Sequence, residues 1–214
     1  MNTKESITKA YDRAAREYAT KFWNELESKP FDRMLLNWFA AQIPSGETIL
    51  EIGAGPGEVS GLLQELGAEC LATDISEQMM ESGKRYFPQV RFEVQDFLDL
   101  QYENGSFYGV VGFYAIVNLV MEEVKTLLQE VKRVLKREGI FLFSFHVFEG
   151  EEKAEIKNFL DQSGSDLTFY YFKVEAVKEL VENVGYQVLD ILIRYPYKDV
   201  EYPSKRAYFI VKKP

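Results

Sequence analysis

The chain has 214 residues, 46% hydrophobic and 14% aromatic, enough to bury the core of one folded domain. The formal net charge is −9 and no run of five or six basic residues occurs, which argues against an electrostatically driven nucleic-acid binder. No stretch of 18 apolar residues is present, Met1 to Glu5 are polar, and the single cysteine, Cys70, cannot close a disulfide within the chain, so a cytoplasmic protein with no membrane span and no secretory signal is expected.

The elements follow in order. Asn2 and Glu5 are spaced as a capping pair, and Ile7, Tyr11, Ala14 and Tyr18 then fall on one helical face. A second helix follows Pro30, with Phe31, Met34, Leu35, Trp38 and Phe39 at helical spacing, and ends before the turn Pro44-Ser45-Gly46. Alternation comes next: strand 48–52, helix 58–66, strand 70–73, helix 77–86, strand 90–94, a turn at 103–106, strand 108–113, helix 122–135, a turn at 137–139 and strand 140–145. These strands are apolar runs without clean alternation, as in a parallel sheet covered on both faces. Residues 149–165 are acidic and polar and read as a surface insertion with one short helix over 151–160, followed by an extended piece at 169–172. Helix 173–183 stops at Gly185, and strands 188–194 and 208–212, joined by a link holding Pro196 and Pro203, read as an antiparallel pair at the sheet edge. The expected organisation is a single domain over 1–214: a helical cap at 1–44, a cofactor-binding core at 45–147, an acceptor-side insertion at 148–172, and a closing helix with the strand pair at 173–214.

The chemistry concentrates at Glu51-Ile-Gly53-Ala-Gly55-Pro-Gly57, where a strand breaks into glycines ahead of a helix. Such a loop lets a ligand lie on backbone at a helix N-terminus. The dinucleotide spacing Gly-x-Gly-x-x-Gly fails, because Glu58 or Ser60 stands where the third glycine belongs. Glu51 beside the loop favours a cationic or zwitterionic ligand. Asp74, at the end of the second strand, suits two ribose hydroxyls, which identifies a nucleoside rather than one cofactor. Met79 suits either an adenine face or plain core packing, and Asp96 either the adenine amino group or a turn or helix cap. Glu51, Asp74, Asp96, Phe113 and His146 all fall near carboxyl ends of strands, where open α/β sheets bind ligands.

Four stretches in order, Glu51-Ile-Gly-Ala-Gly-Pro-Gly, Asp74-Ile-Ser-Glu-Gln-Met79, Val94-Gln-Asp96-Phe97 and Phe107-Tyr-Gly-Val-Val-Gly-Phe-Tyr, resemble the motifs of class I S-adenosylmethionine-dependent methyltransferases of the small-molecule type. The resemblance runs from about Tyr11 to the C-terminus. It implies an α/β, Rossmann-like fold with a seven-stranded, mostly parallel sheet of order 3-2-1-4-5-7-6, the last strand antiparallel, helices on both faces and an N-terminal helical extension. It also implies S-adenosylmethionine as cofactor. Gly53, Gly55 and Gly57 would face its methionine and ribose moieties. Asp74 would hold the ribose, with Ile75 beside it in the same motif; Met79 and Phe97 would flank adenine, and Asp96 would take its amino group. The Phe113 carbonyl would meet the methionine ammonium, with Tyr11 and Tyr18 near that end, and Glu51 beside the loop counts among the cofactor-binding residues.

The sequence departs from the family in carrying Asn118 where many members have histidine, and it lacks the Asn/Asp-Pro-Pro-Tyr signature of amide N-methyltransferases, which favours a small-molecule acceptor. His146, the only histidine, is the candidate general base. Asn118, Tyr171, Arg194 and Arg206 are candidate acceptor-binding residues, with Phe148, Tyr170, Phe172, Tyr195, Tyr197 and Tyr202 as further rings of that pocket. No metal, nucleic-acid or membrane partner is expected, and the protein should be a monomer or homodimer. Two alternatives stay open: a nicotinamide-dependent oxidoreductase, and a non-catalytic S-adenosylmethionine-binding regulator.

Overall fold

The computed structural model describes residues 3–214. Helix α1 (Lys4–Phe22) starts at Thr3, whose hydroxyl accepts from the Ser6 amide while Ser6 Oγ answers the Thr3 backbone. The expected Asn2 cap lies outside the described residues; Thr3 and Ser6 do that work instead. Ala10, Ala14, Ala15 and Ala19 form the buried face of α1, small enough to let it lie close over the sheet end. A short 3-10 turn (Glu25–Ser28) leads to α2 (Pro30–Gln42), which opens with proline at its first position, where no amide partner is lost.

The central sheet holds β1 (Thr48–Ile52), β2 (Glu69–Asp74), β3 (Arg91–Val94), β4 (Phe107–Phe113), β5 (Leu135–His146), β8 (Gln187–Arg194) and β9 (Arg206–Lys212). Its order is β3-β2-β1-β4-β5-β9-β8, and β9 runs antiparallel to both β5 and β8. Counted along this sheet alone, β8 and β9 are its sixth and seventh strands, so the order is that of the Rossmann-like methyltransferase sheet. Helices α3 (Glu58–Glu65), α4 (Glu77–Tyr86), α5 (Met121–Val134) and α6 (Val174–Val184) complete the layers. On one face Val124, Leu127 and Val131 of α5 and Val177 and Val181 of α6 pack against Phe141, Phe143 and Phe209. On the other, Leu36 and Phe39 of α2 and Val59 and Leu63 of α3 pack against Ile49, Leu142 and Tyr208. Cys70 is buried in β2.

Two expectations are corrected. Residues 137–139 do not end an element: they sit within β5 as a bulge, Leu135 pairing with Phe107 and Ile140 with Gly109, with Glu138 at φ 65°. Residues 151–160 are not a helix. Strand β6 (Lys153–Ile156) pairs antiparallel with β7 (Leu167–Tyr170), and Asn158, Leu160 and Asp161 take left-handed backbone in the connection. The alternation Lys153-Ala154-Glu155-Ile156 is a strand pattern, and Phe169 opposite Ala154 gives it a partner.

Candidate functional site

The carboxyl ends of β1, β2, β4 and β5 open into a cavity of about 580 Å³. Helix α1 covers it, fastened at several points. Asp12 accepts from Ser76 Oγ at 2.6 Å and from the Gln78 amide at the start of α4. Lys4 reaches Asp96 at 2.6 Å, and Tyr11 Oη donates to Asn118 Oδ1 at 2.7 Å. Arg13 donates to the Gly164 carbonyl of the β6–β7 connection at 2.5 Å.

The glycine loop is organised from behind. Gly57 is the residue ahead of α3, left-handed at φ 86°, and a Cβ there would lie 2.7 Å from Phe92 Cε1, so only glycine fits. Glycine brings no capping side chain, and Glu51 supplies one from β1: its carboxylate accepts from the Ser60 amide at 2.9 Å and from Ser60 Oγ at 2.5 Å. Burial pushes the Glu51 pKa up to about 8, against the pull of the Ser60 hydrogen bonds. Glu51 and Gly57 are therefore not on the main cavity wall, as the sequence reading expected. Both hold the loop, and burial biases Glu51 towards its protonated form.

Gly53, Gly55, Asp74, Ile75, Met79, Asp96, Phe97 and Phe113 do line the cavity, as do Tyr11 and Tyr18. Asp74 receives the Gly55 amide at 2.9 Å and the Ser76 amide at 2.9 Å, which fixes its carboxylate at the end of β2; burial raises its pKa. Asp96 accepts from the Leu98 amide at 2.9 Å and also meets Lys4.

The far end of the cavity is walled by Tyr114, His146, Phe169, Phe159 and Tyr202. Tyr114 follows β4 directly and holds φ 56°, rare for an aromatic residue. Its ring stacks on His146 at 5.2 Å, and its hydroxyl accepts from Arg206 Nε at 3.0 Å. His146 Nδ1 lies 2.7 Å from Ser204 Oγ. Burial, reinforced by the Arg206 charge, lowers the His146 pKa to about 3, so the ring is neutral at pH 7.

Other acceptor-side candidates are placed differently. Arg206 is on the wall but only 1% exposed, its nitrogens engaged by Tyr114 Oη, Glu201 and the Ser204 and Tyr202 carbonyls. It buttresses the wall instead of presenting a fork to a ligand. Arg194 stands behind the wall, bound to Asp32, Glu201 and Tyr208 Oη. Tyr171 is likewise set back, its hydroxyl 2.8 Å from that of Tyr202. Asn118 is on the wall, its amide spanning Tyr11 Oη and the Thr168 carbonyl. Of the expected rings only Tyr202 faces the cavity; Phe172 is core and Tyr195 is 75% exposed. Phe169 and not Tyr170 faces the site, because successive residues of a strand point to opposite sides; Tyr171 lies just beyond the end of β7.

Lys29, Glu25 and Tyr114 are wall residues the sequence reading missed. Glu25 and Lys29 stand at i,i+4 directly before Pro30, a spacing that signals an ion pair, and their side chains meet at 2.7 Å. Nothing local marked them as facing a ligand.

The sequence comparisons agree with this geometry. A family described as "Methyltransferase domain" matches residues 49–139, the stretch from β1 into β5. A Bacillus subtilis (strain 168) protein, YqeM, described as a methyltransferase, is 26% identical over 92% of this chain and 96% of its own length. A ribosomal protein L11 methyltransferase of Dictyoglomus turgidum is 31% identical over 70% of this chain and 46% of that protein. Among solved structures, a Pyrococcus horikoshii OT3 protein shares the fold at a TM-score of 0.71, with 20% identity over 92% of this chain and 96% of that one. The fold is a Rossmann-like α/β sheet with a cavity over the carboxyl ends of its strands. The methyltransferase-domain match, the methyltransferase relatives and the shared fold support a class I S-adenosylmethionine-dependent methyltransferase with S-adenosylmethionine as cofactor. The same findings favour a methyltransferase over the nicotinamide-dependent and non-catalytic alternatives. No helix among the described residues is long and apolar enough to cross a membrane, and no metal-binding cluster occurs among them.

Proposed function

We propose that the methyl acceptor is a small molecule, bound at the ring-walled end of the cavity. The observation that supports this reading is the chamber itself: about 580 Å³ under α1, ending in Tyr114, His146, Phe159, Phe169 and Tyr202. That volume lies within the roughly 300–1,000 Å³ of small-molecule sites. The net charge of −9 also disfavours a nucleic-acid acceptor. The likeness to a ribosomal protein L11 methyltransferase makes a protein acceptor the reading to test against.

The residues fit the cofactor. Gly55 holds φ 53°, and a Cβ there would fill the space towards Tyr18, 3.6 Å away, where the ligand has to pass. In this reading Asp74 takes the ribose hydroxyls, Gly53 and Gly55 lie under the sugar and methionine, and Ile75, Met79 and Phe97 enclose adenine. Asp96 takes the adenine amino group once shared with Lys4, and the Phe113 carbonyl and Tyr11 and Tyr18 serve the methionine end. S-adenosylmethionine supplies a methyl group on a sulfonium, a leaving group that needs no protonation. The protein's task is then alignment, worth on the order of 7–11 kcal/mol in well-oriented reactions. Helix α1 and the rings exclude water from that alignment. His146, with its pKa near 3, is a poor proton acceptor at neutral pH. In this reading its ring anchors the acceptor as a neutral hydrogen-bonding group.

The test is S-adenosylhomocysteine release with S-adenosylmethionine and a panel of phenols, catechols, amines and thiols, run beside a ribosomal protein fraction. Turnover with one of the small molecules is the expected outcome. Methylation of the protein fraction, with the small molecules inert, overturns the reading.

A further inference from the structure

Behind the glycine loop lies a recess of about 30 Å³ that shares Tyr18, Glu25, Lys29, Gly53 and Phe113 with the main cavity. Its volume is about that of one water molecule or one ammonium group. Its inner walls carry Glu58 and Glu51. Glu51 is committed to Ser60. Glu58 is not committed: its Oε2 is buried and has no hydrogen-bond partner among the described residues. An unpaired buried carboxyl oxygen is costly unless something completes it. Burial pushes the Glu58 pKa well up, the expected direction for a carboxyl without a paired cation.

At the mouth of the recess Lys29 is 3% exposed. Its Nζ lies 2.7 Å from Glu25 Oε1, 3.7 Å from Glu201 Oε2 and 5.6 Å from the Tyr114 ring centre. A buried lysine and a glutamate on one wall, next to an unsatisfied carboxyl, present both signs of charge at short range. The ligand group that matches such a wall is itself a compact zwitterion. An ammonium completes Glu58 and shares Glu25, and a carboxylate takes the Lys29 charge, so that the internal ion pair opens into two matched ones. Neither end of the zwitterion then lies buried without a countercharge, which is the condition for a buried charge to be tolerated.

We propose that Glu25, Lys29 and Glu58 form the subsite for the α-amino-acid end of S-adenosylmethionine and select the zwitterionic cofactor over nucleosides that lack it. This rests on the placement of the cofactor in the main cavity, with its methionine end at Gly53 and Phe113. Glu25 and Lys29 lie outside the stretch that the family model matches, and Glu58 lies within it. Glu25 and Lys29 come from the segment between α1 and α2, and Glu58 stands where a dinucleotide loop would have its third glycine.

The test compares two probes by calorimetry on the full chain: S-adenosylhomocysteine, and 5′-methylthioadenosine, which has the same nucleoside and no amino-acid end. Lys29→Met and Glu25→Gln are expected to lose on the order of 10- to 100-fold in affinity for S-adenosylhomocysteine, the size of a charged hydrogen bond. Their affinity for 5′-methylthioadenosine should stay within about twofold of the parent. Glu25→Gln keeps the shape of the side chain and so carries the test if Lys29→Met does not fold. Equal losses for both probes, or unchanged S-adenosylhomocysteine affinity, overturn the subsite. A parent chain that binds neither probe overturns the cofactor placement instead, and with it the subsite.

Discussion

The glycine-loop half and the ring-walled half of this cavity are built by different means. The glycine-loop half consists of strand ends, a glycine loop and carboxylates fixed by backbone amides: Asp74 receives the Gly55 and Ser76 amides, and Asp96 the Leu98 amide. The ring-walled half consists of side chains held by other side chains, as Tyr114 is held by Arg206 and His146 by Ser204. A site made of backbone tolerates little variation in residue type, so it leaves a pattern in the chain. A site made of distant side chains in contact leaves almost none.

Substitutions can break or sharpen that contrast. The largest effect belongs to Asp74→Ala, which removes a charged acceptor placed by two amides. S-adenosylhomocysteine affinity should fall by at least about 100-fold in calorimetry, while the chain stays folded by circular dichroism. A smaller loss would mean that the sugar is held elsewhere. Next is Gly57→Ala, at a φ of 86° and against Phe92. It should cost about 1–3 kcal/mol of stability in chemical denaturation and leave the affinity of the folded protein nearly unchanged. A large affinity loss without a stability loss would put Gly57 back among the ligand-facing residues. The smallest effect concerns pH. His146 has a folded pKa of about 3 against an ordinary 6.5, so between these values the unfolded chain binds a proton that the folded chain refuses. Stability from this source is complete above pH 6.5 and is lost as pH falls. Relative to the parent, His146→Gln should therefore gain stability as pH drops from 7 to 5, by up to about 2 kcal/mol at pH 5, in thermal melts. No pH-dependent difference would mean that the ring is not buried neutral.

The same contrast explains what was legible in the sequence. Thr48–Ile52 and Glu77–Tyr86 were readable to the residue, because a buried apolar run and a capped amphipathic helix carry local signals. That Asp74, Asp96, Phe113 and His146 line one cavity was readable because topology puts strand ends at one edge. Residues 151–160 were misread because four alternating residues followed by Asn158 in a left-handed turn do not announce a hairpin unless its partner strand, with Phe169, is known. Arg194 and Arg206 looked like ligand-binding arginines for want of their partners. Asp32 lies 162 positions from Arg194, a distance no local pattern bridges. Glu51 had the right position, but the Ser60 contacts that turn it into a helix cap were not apparent.

The buried ionic cluster has a consequence for how this protein varies. Lys29 and Asp32 of the first segment meet Arg194, Glu201 and Arg206 of the last, through contacts that leave Asp32 and Arg206 almost wholly inside. Losing one member strands its partner's charge in the interior, at a cost of about 3–5 kcal/mol. Drift at these positions is therefore expected in concert: relatives that change Arg194 should change Asp32 or Glu201 with it. The wall behind the rings should vary as a block, while Phe159, Phe169 and Tyr202, which line the cavity, are free to change singly.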